Sequence, residues 1–481
     1  MQAHHPTENT EPSSRPRGRP ALAWCVIVLL VAGVVVLQYL PRQRVGPNEN
    51  ALAGLTFDLQ MRMMVGLSDL SSDVPGQRQQ IFAQVQPLNT GPPAQRLRFV
   101  PLAGELSDPE TALALLDRWK REFVEIPPQD LPKESRPTEN QLRAWRLLTT
   151  LYEDFAARNW SAPSLLPTDR VWLEAELGFA GRLALHPANG PDTAARDALL
   201  DSARRLAATL YGGVCGFACL GLMGLAGLIA LAGFAGTGRL NSALAPPTDR
   251  GGIYAETFAV WLALLLTISL AAGAIFPGSL LAGGVAMAIS LLAMAYPLLR
   301  GISWSDVRSD IGWTGGAGLR ELPAGVAAYA LMLPLAGLGL IVTVLLMLLA
   351  NAVRGGVQAP MHPIAPQVPG ADPWALAVVL LVASVIAPVV EETMFRGVLH
   401  RHLRDATWGL GGAGSFVLSS LLGGLVFAVI HPQGLLAAPA LTSIAVGLTV
   451  AREWRGTLLP SMIAHGIHNG LLMLLLFSIT G

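Results

Sequence analysis

Charge and cysteine are what this chain has least of. Only 14% of its 481 residues are Asp, Glu, Lys or Arg, against about 25% in soluble domains. With 52% hydrophobic residues, that shortage excludes an ordinary soluble enzyme and reads as a membrane protein with several spans. Neither sign of charge dominates, since Lys plus Arg and Asp plus Glu both number 33. No basic surplus exists to hold a phosphate backbone, so no nucleic-acid partner is expected. The three cysteines, Cys25, Cys215 and Cys219, all fall in apolar runs, which excludes a disulfide-stapled domain. Cys215 and Cys219 lack the second pair that a structural zinc site needs and read as small packing residues. Three protease signatures are missing as well. The chain has no His-Glu-x-x-His helix, Gly412-Ala413-Gly414-Ser415 is not a Gly-x-Ser-Gly motif, and the apolar runs hold no aspartate pair.

What is present divides the chain into unequal parts. Residues 1–20 are polar, with Arg15, Arg17 and Arg19 among prolines and serines, and read as a disordered basic tail. Residues 21–40 form an unbroken apolar run of spanning length. No small-residue cleavage site precedes Pro41, so an uncleaved anchor is expected rather than a signal peptide. Residues 41–205 are polar and punctuated by proline, with apolar stripes at helical spacing. Asp108-Pro109 reads as cap and first turn, followed by Leu115, Leu116, Trp119 and Phe123. Leu142, Trp145, Leu148, Tyr152 and Phe155 make a second stripe. Asp169 opens a third, carrying Trp172, Leu173, Leu177 and Phe179 or Ala180, and Pro191-Asp192 opens a fourth that runs toward the membrane. These are core faces of a small helical domain with no catalytic cluster. A protein partner for this 41–205 domain is left open.

From residue 206 the chain is nearly all apolar. Candidate spans are 207–236, 257–276, 279–299, 324–350, 374–399, 409–431, 434–451 and 457–479. With the anchor these make about nine spans. The expected fold is therefore all-α: a polytopic helical membrane protein with an inserted extramembrane all-α domain. Residues 206–300 are accessory transmembrane helices, and 301–481 form the domain that carries the chemistry. Counting Arg in the short loops puts the N-terminus in the cytoplasm and the 41–205 domain outside it. A plasma, or inner, membrane location follows as the expectation, and Arg204 and Arg205 run against the pattern.

The last four spans hold polar residues that do not belong in hydrocarbon. Glu391-Glu392 sits in an apolar run, and even the mildest scale charges a centred ionised side chain roughly 2.5–3.5 kcal/mol. On a helix Glu392 and Arg396 share a face, while Glu391 points about 100° away. The expectation is that Arg396 neutralises Glu392 and leaves Glu391 aimed elsewhere. Phe427 and His431 end the next long run, and His465, His468 and Asn469 lie in the last. Helical rise puts Glu391, His431, His465 and Asn469 roughly 12–25 Å into the membrane, near enough to meet. A carboxylate held away from bulk water is a competent base toward a bound water, with an imidazole beside it to orient that water. A second imidazole and an amide can donate to a developing oxyanion. The same His, His and Glu set suits zinc with an open position, and spacing leaves the two readings open. The plainer reading is polar glue between helices. For His400 and His402 the default is interfacial anchoring.

Glu-Glu-x-x-x-Arg, Phe-x-x-x-His and His-x-x-x-Asn, in that order on separate runs, resemble the CAAX prenyl protease and bacteriocin-processing family, also called CPBP or Abi. The likeness is expected over roughly residues 300–481, with Trp304–Leu322 resembling the lead-in segment. It implies a glutamate-dependent intramembrane endopeptidase acting on a membrane-embedded or lipidated, CAAX-like peptide in the lipid bilayer. Carried over by motif, Glu391 would activate water with His431. His465 and Asn469 would form the oxyanion site, and Glu392 and Arg396 would support the geometry. The family implies either a metal-free mechanism, which is favoured here with no cofactor, or a divalent metal such as zinc. Other members are scaffolds or immunity proteins, so a non-catalytic protein of the same fold is the alternative. A proton-coupled carrier is a weaker third reading, because no inverted repeat shows in the hydropathy.

Overall fold

The structure, a computed structural model, describes residues 18–39, 49–132, 135–239, 242–244, 246–354 and 372–480. Residues 1–17 of the expected basic tail, and most of the loop at 351–373, lie outside the described residues. Among the described residues every regular element is helical, and eight helical stretches are long and apolar enough to cross a membrane. One of the eight, Pro373–Ile430, contains two of the expected runs. Gly411 separates them with φ +76°, a conformation that side chains with a Cβ rarely adopt. The chain is an integral, polytopic, all-α membrane protein. Its described residues divide into two compact units, one holding the N-terminal helix with residues 217–477 and the other residues 49–216 with 478–480.

The smaller unit is built from short helices that start where proline or a capping side chain allows. Pro93, Pro109 and Pro167 each occupy a first turn, where a missing N–H costs nothing. Asp108 accepts a hydrogen bond from the Thr111 amide at 2.6 Å and starts Pro109–Phe123. Hydrogen bonds from Thr111 and Ser107 hold the Asp108 carboxyl below its ordinary value against partial burial. Thr138 and Gln141 cap Glu139–Ala156 reciprocally. The expected stripes face inward, with Leu116, Trp119, Leu148, Tyr152 and Leu173 in the core. Their indoles are satisfied there. Trp119 donates to the Pro93 carbonyl and Trp145 to that of Leu116, each at 3.1 Å. The third stripe differs from expectation. Its helix begins at Pro167 and ends at Leu177. Gly178, at φ +60°, breaks the chain before Phe179–Leu185. Asp169 pairs with Arg143 at 2.7 Å instead of capping. The fourth runs on as expected: Asp192 accepts from the Ala195 amide at 3.0 Å, and one helix extends over Thr193–Gly236. Three further helices, Glu49–Leu70, Gln77–Val85 and Pro93–Leu106, were not among the expected stripes, although Phe57, Met61 and Val65 recur every four residues and are buried. A cavity of about 160 Å³ in this unit is lined by Arg78, Glu105, Tyr152, Phe155 and Trp160, among others.

In the membrane unit, helices from both sides of residue 300 share one core. Phe258 and Trp261 from Gly251–Ile275 meet Phe395 edge-on at 5.3 and 5.6 Å between ring centroids. Phe395 meets Phe427 edge-on at 5.0 Å. Such edge-to-face rings lock element positions beyond what area alone gives. Below this core, the end of the glutamate-bearing helix is tied by buried charges. His400 and Arg404 both lie 2.8 Å from the Glu453 carboxylate. His402 bonds the Gly251 carbonyl at 2.8 Å and lies 2.9 Å from Trp24 Nε1. Interfacial anchoring is therefore the wrong reading for these histidines. Both are buried, because carboxylate, carbonyl and indole partners from other helices reach them.

Candidate active site

Glu391 lies on a helix that spans 373–407 and is twice interrupted by π turns, at Val382–Ile386 and Thr393–Leu399. Pro388 accounts for what surrounds the first. In that turn the Ala387 amide reaches back five residues to the Val382 carbonyl. The next amide in this register would serve Ala383, but Pro388 has no N–H. The freed Ala383 carbonyl takes a hydrogen bond from Asn469 Nδ2 at 2.8 Å. The last helix, Leu459–Thr480, comes close enough to do this because Gly466 faces the same kink. A Cβ on Gly466 would stand 2.5 Å from the Ser384 carbonyl oxygen. Asn469 and Gly466 thus fix the bend three residues before Glu391.

The second π turn begins one residue after Glu392. Arg396 donates to Glu392 Oε1 at 2.9 Å, with both side chains buried, at 2% and 0% exposure. Arg396 also donates to the Ala445 carbonyl at 3.2 Å and lies over the Phe427 ring at 4.8 Å. The i, i+4 pair expected from spacing is therefore present, and Glu391 is turned away from it. One contact was not legible in spacing: His465 Nδ1 lies 2.8 Å from the same Glu392 oxygen. A carboxylate accepts, so Nδ1 carries the hydrogen and Nε2 is directed onward.

His431 reaches the site by a different route. It follows the last turn of Gly411–Ile430 with φ −73° and ψ 140°. Pro432 comes next, and a residue before proline is pushed out of the helical region. The ring then folds back over Phe427, with centroids 3.9 Å apart, and Nδ1 donates to the Phe427 carbonyl at 2.6 Å. Nε2 is again the atom left to face outward.

Both Nε2 atoms face one oxygen. Glu391 Oε2 lies 3.7 Å from His431 Nε2 and 3.7 Å from His465 Nε2. These distances exceed a direct hydrogen bond. With both Nδ1 atoms protonated, Glu391 Oε2 and His431 Nε2 can accept the two hydrogens of one water, and His465 Nε2 faces the same carboxylate oxygen. The structure thus brings Glu391, His431 and His465 together, with Glu392 and Arg396 behind His465. Asn469 is nearby in the fold but engaged with Ala383. His468 is apart from the set, its ring 6.2 Å from that of Tyr329. Sequence reasoning placed Trp313 in the lead-in segment but not its contact, in which the indole donates to Thr393 at 2.9 Å, and it missed Gln38, whose amide meets the end of the His431 helix. Both reach the site from segments far away in the chain, a relation that local spacing does not carry.

A divalent metal needs three or more donors around a common point. Among the described residues no group of three His, Cys, Asp or Glu side chains is placed to hold one.

Residues 373–471 match the family described as type II CAAX prenyl endopeptidase Rce1-like, so this stretch carries a domain of that family. The matched stretch contains all six of the expected site residues. It begins after Trp304–Leu322, and the helical unit and the N-terminal helix also fall outside it. No curated protein and no solved structure matches the chain. The family and the eight apolar helices together support a membrane protease.

Proposed function

We propose that the chain is an intramembrane endopeptidase that hydrolyses a peptide bond in a membrane-embedded or lipidated, CAAX-like peptide. The observation that carries this reading is the approach of two imidazole Nε2 atoms to Glu391 Oε2 at 3.7 Å each. A water there donates one hydrogen to Glu391 and one to His431, leaving an oxygen lone pair for attack. As that oxygen bonds to the scissile carbonyl carbon, Glu391 takes the water's proton. The carbonyl oxygen becomes an oxyanion, and His465, when protonated at Nε2, donates to it. Asn469 contributes its second amide hydrogen, since the first is occupied by Ala383. Collapse breaks the C–N bond, and the proton held by Glu391 passes to the departing nitrogen. Glu392 and Arg396 act through His465, holding its Nδ1 side.

The reaction is written on the chain's own side chains, with no metal in any step. Orientation follows from the arginine count in the loops: N-terminus cytoplasmic and helical domain outside. Purified full-length protein, assayed on a prenylated reporter peptide and a panel of membrane peptides, tests the proposal. Cleavage that disappears in Glu391→Gln while the thermal transition stays in place is the expected result. Cleavage that persists unchanged in Glu391→Ala refutes the mechanism. A variant that loses function only together with its fold favours the scaffold alternative.

A further inference from the structure

We infer that Gln38, on the N-terminal helix, is a positioning residue for His431, which makes that helix a working part of the site and not only a tether. The inference rests on the peptidase reading above and on one group of hydrogen bonds. Gln38 Nε2 lies 2.9 Å from the His431 carbonyl oxygen, 3.3 Å from that of Ile430 and 3.4 Å from that of Val429. These are the final carbonyls of Gly411–Ile430 and of the residue that ends it. A helix end leaves its last four carbonyls without an intrahelical donor. Pro432 deepens the shortage, because the residue after His431 has no N–H to offer. An amide from another span supplies the missing donor. Its orientation follows from the partners: turned the other way, the amide oxygen would face three carbonyl oxygens.

The consequence for the site comes from how His431 is held. Among the described residues, the one contact of its side chain within ordinary hydrogen-bond length is to the Phe427 carbonyl, in the helix that ends at it, with Glu391 at 3.7 Å. Where Nε2 stands relative to Glu391 therefore depends on where the helix end stands. Among the described residues no other side chain bonds the His431 backbone. The N-terminal helix, Pro20–Tyr39, is itself fixed at three heights. The Arg19 amide donates to Glu256 at 2.6 Å, Trp24 reaches His402 at 2.9 Å, and Gln38 reaches His431. Trp24 thereby grips the helix that carries Glu391, and Gln38, about 21 Å further along, grips the one that presents His431. One helix outside the family-matched residues braces both sides of the Glu391–His431 pair.

The test uses full-length protein in lipid nanodiscs, with Gln38→Leu compared with wild type by two independent readouts. Amide hydrogen exchange should rise across residues 427–435 and stay unchanged around Glu391 and His465. On a peptide that wild type cleaves, kcat should fall about 10- to 100-fold while KM stays within about twofold, because orientation and not binding is lost. In a His431→Ala background the same substitution should leave the residual kcat unchanged, whereas a merely structural role would lower it again. Gln38→Met, closer in length, repeats the test should Gln38→Leu fail to fold. Unchanged exchange at 427–435, or an equal rate loss in the His431→Ala background, overturns the proposal. Wild type that cleaves no peptide refutes the peptidase reading instead, and the exchange result then decides this inference alone.

Discussion

Removing Arg396 should harm this protein more than removing Arg396 and Glu392 together. The Glu392 side chain is 0% exposed, and its Oε2 already has no hydrogen-bond partner. Arg396→Met keeps most of the side chain's length but leaves the carboxylate without its cation. Breaking a buried pair from one side typically costs about 3–5 kcal/mol, while replacing both partners by apolar groups is often close to neutral. The double variant Glu392→Leu, Arg396→Met should therefore recover most of the lost stability. It should not recover turnover, because His465 Nδ1 loses its partner at 2.8 Å and the ring is free to rotate. A misplacement of that kind costs on the order of 100-fold in rate. Thermal unfolding in detergent and peptide cleavage, measured on the same preparations, give both quantities. A single Arg396→Met variant as stable as wild type would refute the claim that this pair compensates a buried charge. A double variant with full activity would show that Glu392 does not hold His465.

Other expectations follow from individual contacts. Asn469→Ala strands the Ala383 carbonyl, which should cost about 1–3 kcal/mol in thermal stability and slow turnover by moving the bend before Glu391. Gly466→Ala should lower the unfolding temperature, since its Cβ would stand 2.5 Å from the Ser384 carbonyl oxygen; an unchanged transition would show that the kink yields. In the helical unit, Asp108→Ala should loosen the first turn of Pro109–Phe123 by about 1 kcal/mol, read by hydrogen exchange at Thr111 in the intact protein. Because the folded Asp108 carboxyl titrates below its ordinary value of 3.8, its contribution is complete above that pH. It is lost as the pH falls further, and Asp108→Asn should keep the cap and lose this acid limb. Chelation followed by metal analysis of pure protein should leave cleavage intact, and activity restored only by a divalent ion would reverse the metal-free reading.

The resemblance to the CAAX prenyl protease and bacteriocin-processing family is read from short motifs, but their internal physics is readable without it. Glu392 and Arg396 are four apart, so any helix over them puts the pair on one face and turns Glu391 aside. His431 precedes a proline, so it had to leave the helix at that point. What these relations omit is the third dimension. His465 is 73 positions from Glu392 and Asn469 is 86 from Ala383. Neither separation has a period that sequence could display. Asn469 illustrates the gap: its motif position suggested a donor to an oxyanion, whereas its amide also repairs the carbonyl that Pro388 leaves bare. His400 and His402 make the same point. Their place at the end of a span suggested the interface, and partners from three other segments bury them.

The order of residues alone settled the class of protein and the spans, because low charge, long apolar runs and caps such as Asp108 act within a few turns of one helix. It also settled which side chains were too costly to leave in hydrocarbon. Packing alone decided how those side chains face one another: which nitrogen of each imidazole is used, that Glu391 has two of them 3.7 Å away, and that Gln38 belongs to the site. Hydrogen bonds reach about 3 Å, so only the folded chain can say which distant residues fall within that reach.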